Sequence, residues 1–357
     1  MTTELGVPVW QHDFLGGGFE ALELELPPDE EGPVCATLVR HVRPLATQTA
    51  PHGLLDALTA FTRRRRRRDV PVTHGPPRVV LYLHGWADYF MQTELAEFLG
   101  ASGFHFYALD LRKFGRSLRP GQTPGYTTDL SVYDEDLDAA LRAIQQDVAE
   151  LTGSAEVPTV HLLAHSLGGL IAALWADRNP GRIATLTLNS PWLELQGSSL
   201  IRSMAMRLVE PFARTDPKRP FRFPEMPAYW ESVSNLAHGE WTLDPEWRPR
   251  ASFPIRAGWT KAVLAGHAAV ERKLNIDAPV LVLLSGRTRI QAEWTAELMR
   301  VDAVIDVEQT ARRALGLGRR TAVFRYPGAL HDVFLSRRTV RQQAYRDVAI
   351  WLASYPD

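Results

Sequence analysis

Six short apolar runs constrain this chain most: RVVLYLHG (Arg78 to Gly85), FHFYALDL (Phe104 to Leu111), TVHLLAH (Thr159 to His165), IATLTLNS (Ile183 to Ser190), PVLVLLSG (Pro279 to Gly286) and TAVFRYPG (Thr321 to Gly328). Each is short and largely apolar, and reads as a strand covered on both faces. Helical periodicity lies between them. Leu137, Leu141, Ile144, Val148 and Leu151 share one face, and Val340, Tyr345, Val348 and Leu352 repeat the pattern near the end. Strands alternating with helices imply an α/β fold: a doubly wound, mostly parallel sheet with helices on both sides. GFEALELELP and VCATLVRHV, ahead of these runs, add an N-terminal antiparallel hairpin. Sheets of this kind bind ligands beyond the C-terminal ends of their strands.

The alternation breaks between Asn189 and Asp277, a stretch too long for a simple connection. It carries Trp192, Phe212, Phe221, Phe223, Tyr229, Trp230, Trp241, Trp247, Phe253 and Trp259, with the helical stretch SSLIRSMAMRLVEPF. Inserted after a strand's C-terminal end, residues 191–276 are expected to form a helical, aromatic-rich cap over the site. The core then divides into residues 1–190 and 277–357. Trp192 and Trp230 are candidates to line a pocket under the cap.

Within 1–190, the segment 43–77 holds the arginines Arg63 to Arg68 and reads as a solvated surface loop. It has no interleaved aromatics and no recognition helix, so no nucleic-acid partner is expected. A net charge of −1 likewise gives no global reason to bind nucleic acid or an anionic membrane. The N-terminus lacks the pattern of a signal peptide, and no segment offers the roughly 18 successive apolar residues of a membrane span. The lone cysteine, Cys35, rules out an intrachain disulfide. A soluble, cytoplasmic protein without stable membrane insertion is the expectation.

The densest chemical signal is HLLAHSLGGLIAALWA. A buried strand ends at Ala164-His165-Ser166-Leu167-Gly168, and a helix opening on small residues follows at once. Such a strand, sharp turn and helix form a nucleophile elbow, which lifts Ser166 Oγ to the N-terminus of a helix whose dipole favours developing negative charge. His84, His161 and His165 have no carboxylate at metal-ligand spacing, so no metal is expected.

With LYLHGWADY, ALDLRKFGRS, AHSLGG and YPGALHDVFLS in this order, the sequence resembles the α/β-hydrolase superfamily. Within it, the resemblance is to the serine hydrolases that include monoacylglycerol lipases, lysophospholipases and S33 peptidase-like enzymes. Two departures stand out: Ala164 and Lys113 occupy positions where the family pattern has glycine. The resemblance implies an oxyanion hole built from the backbone N–H groups of Trp86 and Leu167, with the Trp86 side chain a further candidate to shape the pocket.

A serine nucleophile needs a base. His331 follows the last strand, behind the turn residues Pro327 and Gly328, and directly precedes the final helix; this is where the superfamily's base belongs. His331 in turn needs a carboxylate on its other ring nitrogen. The commonest place for it, the turn after Pro279 to Leu284, reads Ser-Gly-Arg-Thr-Arg and holds none. Asp277 precedes that strand and lies at the wrong edge. Asp332 is too close in sequence to His331 to converge on it, and Glu293 and Glu297 read as the solvent face of a short helix. Asp302 and Asp306 remain. Asp306, three residues before Gln309, resembles a helix cap, whereas DAVIDVEQTARRA resembles the family's segment after the strand. Asp302 is therefore the first choice and Asp306 the second, with residues 287–301 an insertion before the acid.

These residues imply an esterase, monoacylglycerol lipase or lysophospholipase acting on a small-molecule apolar acyl ester through an acyl-enzyme, with no cofactor. An S33-like peptidase and a non-catalytic ligand-binding member of the fold are the alternatives.

Overall fold

The structure, a computed structural model, describes residues 9–42, 75–195, 199–221 and 227–355. The arginine run Arg63 to Arg68 lies outside them. The chain opens with strands β1 (Gln11–His12), β2 (Phe19–Asp29), β3 (Gly32–His41) and β4 (Arg78–Leu83). Helix α1 (Thr93–Ala101), β5 (His105–Asp110), α2 (Tyr133–Thr152), β6 (Thr159–His165), α3 (Ser166–Arg178) and β7 (Thr185–Asn189) follow. Three helices come next: α4 (Ser199–Thr215), α5 (Ala228–Val233) and α6 (Ala257–Glu271). The chain then returns to the sheet with β8 (Val280–Ser285), α7 (Val307–Ala314), β9 (Thr321–Tyr326) and α8 (Arg338–Ala353).

The nine strands form one sheet in the order β1-β2-β3-β5-β4-β6-β7-β8-β9. β1, β2 and β3 pair antiparallel, β3 joins β5 antiparallel, and β5 through β9 run parallel. The period of two along a strand divides the apolar runs between two cores. Val79, Leu81 and Leu83 of β4 face the core shared with α2, α3 and α6. Val80 and Tyr82 face the core shared with α1 and α8. The expectation of strands buried on both faces holds for β4 to β8 through this double covering, but β9, at the edge of the sheet, is only half-buried and leaves Phe324 exposed. Strand order reverses around β4, with β5 on one side and β6 on the other, so the C-terminal ends of β4 and β6 open onto the crevice where such sheets bind ligands.

Local departures from the sequence reading have simple causes. Leu151, expected on the apolar stripe of α2, is exposed, because the buried stripe ends at Val148 in the helix's last turns. In the segment between β7 and β8, α6 lays Trp259, Val263 and Val270 into the main core. Lys113 adopts the left-handed backbone that favours glycine, with φ 62°. Its buried ammonium compensates by bonding Asp29 and, at 2.7 Å, Glu31 at the tip of the β2–β3 hairpin. Burial alone would raise the Glu31 carboxyl, but bonds from Lys113, Lys218 and Thr123 hold it well below the usual carboxylate range. Among the described residues no helix is long and apolar enough to cross a membrane.

Candidate active site

Ser166 sits between β6 and α3 with φ 50°, a conformation that bulky side chains avoid. The turn is possible because glycines stand two and three residues further on. A Cβ on Gly168 would lie 2.2 Å from the His84 carbonyl oxygen, and one on Gly169 would lie 2.8 Å from Pro191 Cβ. The loop after β4 is as close on the other side: a Cβ on Gly85 would fall 3.1 Å from Ser166 Cβ. Trp86, which follows Gly85, and Leu167, which follows Ser166, therefore flank the serine. Ala164 is fully buried within β6 and its methyl joins the main core.

His331, in the loop after β9, places Nε2 3.0 Å from Ser166 Oγ. Its Nδ1 lies 2.9 Å from Asp302 Oδ2. An ionised Asp302 requires the proton on Nδ1, which leaves Nε2 as the acceptor for the serine hydroxyl. Asp302 is fully buried, and its other oxygen accepts from the backbone N–H groups of Val304 and Ile305 at 2.8 and 2.9 Å.

The route by which Asp302 arrives explains the turn that lacks an acid. After β8, Asp302 N–H donates to the Arg287 carbonyl and Arg289 N–H to the Asp302 carbonyl, both at 2.9 Å. The chain thus leaves the strand, loops out, and returns to pair with itself at Thr288 and Asp302. The acid stands beside the tip of β8 despite its distance in sequence. Trp294 and Leu298 of the loop pack against α5, with the Trp294 indole donating to Ser232 Oγ at 3.1 Å.

The other acids have different partners. Asp306 caps α7, accepting from Glu308 and Gln309 N–H at 2.9 Å each. Asp277 accepts from Gly181 N–H at the opposite edge of the sheet, 2.8 Å away. Glu297 pairs with Arg287 and Arg289 at 3.0 and 3.1 Å. Asp332 is fully buried but turned from the His331 imidazole: Asn189 Nδ2 donates to it at 2.6 Å and Gln92 Nε2 at 2.9 Å. Val333 N–H returns a 3.1 Å bond to Asn189 Oδ1, fastening the histidine loop to the end of β7.

Two further histidines near the serine are bound into the scaffold. His84 bridges Gly85 O at 2.7 Å and Leu111 N–H at 3.1 Å. His165 Nδ1 bonds Asn189 O at 3.0 Å, burial pushes its pKa down, and its ring centroid lies 4.9 Å from that of His331. Among the described residues no group of three or more His, Cys, Asp and Glu is placed to hold a metal ion.

The three candidate pocket tryptophans differ in position. Trp86 packs against Trp259 with ring centroids 4.1 Å apart and planes tilted by 40°. Trp192 donates its backbone N–H to the Ser166 carbonyl at 3.0 Å, and its side chain lines an apolar cavity of about 350 Å³ with Val209, Phe212, Phe221, Trp259 and Val263. Trp230 packs with Tyr89, Val233 and Leu243, and its indole donates to the Arg248 carbonyl at 3.0 Å. Three side chains near His331 had escaped the sequence reading. Arg248 Nη1 donates to Asp88 at 2.6 Å, and the Tyr229 ring stands edge-on to His331 with centroids 5.4 Å apart. Asp88 lies inside LYLHGWADY and was visible there as a carboxylate just past Trp86; Arg248 and Tyr229 belong to no periodic pattern.

Sheet order, helix layers and elbow define the α/β-hydrolase class. Residues 74–337 match the family model described as serine aminopeptidase, S33, and the chain belongs to that family. It is 25% identical to a monoacylglycerol lipase of Mycolicibacterium smegmatis over 289 residues, covering 78% of this chain and 89% of the relative. Shared architecture extends to solved structures of low sequence identity. The Paleococcus ferrophilus monoacylglycerol lipase aligns with TM-score 0.54 and 22% identity, over 79% of this chain and 96% of that one. A soluble variant of the Saccharomyces cerevisiae monoglyceride lipase aligns with TM-score 0.59 and 16% identity, over 100% and 98% respectively.

Proposed function

We propose that this protein hydrolyses carboxylic esters of apolar acyl groups, as a monoacylglycerol lipase-type serine hydrolase working through an acyl-enzyme on Ser166. The observation that carries the proposal is the continuous bond chain from Ser166 Oγ through His331 to Asp302, at 3.0 and 2.9 Å. His331 Nε2 accepts the serine proton as Oγ attacks the ester carbonyl. Asp302 holds the imidazole in the required tautomer and stabilises its charge. The N–H groups of Trp86 and Leu167 receive the oxyanion, and His331 then protonates the departing alkoxide. A water activated by the same nitrogen hydrolyses the acyl-enzyme.

Residues 191–276 act as the cap. The cavity lined by Trp192 supports an apolar acyl group, since its lining is almost wholly hydrocarbon. Its 350 Å³ holds on the order of ten carbons if each takes about the 30 Å³ of a liquid-water molecule. Peptidase action is disfavoured by the charges. An N-terminal amine calls for an unpaired carboxylate, yet Asp88, Asp302 and Asp332 are bonded to Arg248, His331 and Asn189 respectively. A single buried cysteine is consistent with a cytoplasmic setting.

The test is a series of p-nitrophenyl esters of increasing acyl length beside aminoacyl p-nitroanilides, with fluorophosphonate labelling of the serine. Ester turnover with an optimum at medium chain length, and labelling abolished by Ser166→Ala, is the expected result. Preference for the anilides would overturn the ester assignment.

A further inference from the structure

Arg248 comes from the long segment between β7 and β8 and is buried beneath the loop that follows β4. It forms a 2.6 Å ion pair with Asp88, and the two side chains are only 7% and 3% exposed. Its guanidinium carbon also lies 5.6 Å from the centroid of the Tyr229 ring. Each neighbour leads to a different half of the reaction machinery.

Asp88 is two residues past Trp86. Between them Ala87 has φ 46°, a conformation unfavourable to any residue with a Cβ, so something outside the loop must hold it. Tyr229 leads the other way. Its ring stands against His331 at 86°, and its hydroxyl accepts the Asp332 N–H at 3.1 Å, in the residue after the base. A buried pair of this kind adds little stability over an apolar filling of the same volume, but removing one member strands the other charge. Its retention here fits a need for geometry.

We infer, on the ester-hydrolase reading above, that Arg248 is a positioning residue: through Asp88 it holds the oxyanion loop and through Tyr229 the histidine loop. It thereby fixes the distance between the groups that receive the oxyanion and the base that moves the proton. Displacements of about 1 Å between such groups cost on the order of a hundredfold in rate.

The experiment compares wild type, Arg248→Met, Arg248→Lys, Asp88→Asn and the double variant Asp88→Asn/Arg248→Met on p-nitrophenyl butyrate. Rates are normalised to serines titrated by a fluorophosphonate, so loss of folded protein is not read as loss of rate. Arg248→Met should lower kcat about a hundredfold with KM within about threefold, and weaken a trifluoromethyl ketone by the same factor as kcat/KM. Arg248→Lys should recover at least part of the loss, and the double variant should lose no more than the worse single one. If Arg248→Met does not fold, Asp88→Asn carries the same comparison of kcat against KM. A normalised kcat within threefold of wild type in folded Arg248→Met, or in Asp88→Asn where Arg248→Met does not fold, overturns the inference, as does a rise in KM at unchanged kcat. A wild type that neither turns over the ester nor takes the label would instead overturn the hydrolase reading, and this inference with it.

Discussion

Ser166 and Asp302 meet at one imidazole, but the chain delivers them by different means. The serine is placed by its immediate neighbours: β6 stops, glycines admit the close approach, and α3 begins on the nucleophile itself. The acid is placed by a loop that leaves β8, packs on α5 and returns to bond its own departure point. Steric exclusion holds the first and hydrogen bonds hold the second. A missing atom is tolerated differently from an extra one, so the two regions should fail in different ways.

The largest effect belongs to the nucleophile. Ser166→Ala should lower kcat by about a millionfold with the fold intact, measured as ester turnover beside circular dichroism. Residual turnover above a hundredth of wild type would place the nucleophile elsewhere. Next comes the acid. Asp302→Asn presents an amide to Nδ1, and kcat should fall by about 10⁴-fold. Asp306→Ala should leave kcat within about threefold and cost about 1 kcal/mol of stability through the lost cap on α7. If those two outcomes were exchanged, the acid would be Asp306.

How far each region was legible follows from the same contrast. The elbow can be read from AHSLGG because its constraints lie within the motif, and His331 could be read from its place after the last strand. The acid required elimination: Asp306 carried a cap signature, Asp277 lay at the wrong edge, and Asp302 was left. Nothing in residues 287–301 announces that Arg287 and Arg289 will bond the backbone of Asp302, because backbone pairing across a loop leaves no side-chain pattern. Arg248 and Tyr229 were silent for a related reason. Their partners, Asp88 and His331, are remote in sequence, and a single buried arginine has no periodicity. In the long segment, aromatic content marked a packed unit without separating the rings that join the main core, such as Trp259, from those near the site.

Smaller perturbations test the means of placement itself. Gly168→Ala adds one methyl where the His84 carbonyl oxygen is 2.2 Å away, so the loop bearing Trp86 must move. It should cost about 1 to 3 kcal/mol from overpacking. The displaced loop should also cost roughly a hundredfold in kcat. A variant with unchanged melting temperature and unchanged kcat would show that the elbow is not set by steric exclusion.

Thr288→Val applies the matching test to the acid loop. Thr288 Oγ1 donates to the Ile305 carbonyl at 2.9 Å and accepts the Val307 N–H at 2.8 Å, tying the departing strand end to the chain just past Asp302. Valine keeps the shape and removes both bonds, stranding a backbone donor and an acceptor at a cost of about 1 to 3 kcal/mol. The rate should suffer less than in Gly168→Ala, by under about tenfold, because Asp302 keeps its own bonds from Val304 and Ile305. The measurement is urea unfolding beside ester kinetics across pH. A fall in kcat larger than that of Gly168→Ala, at little cost in stability, would mean that Thr288 acts on the imidazole's partner directly and not through the loop that carries it.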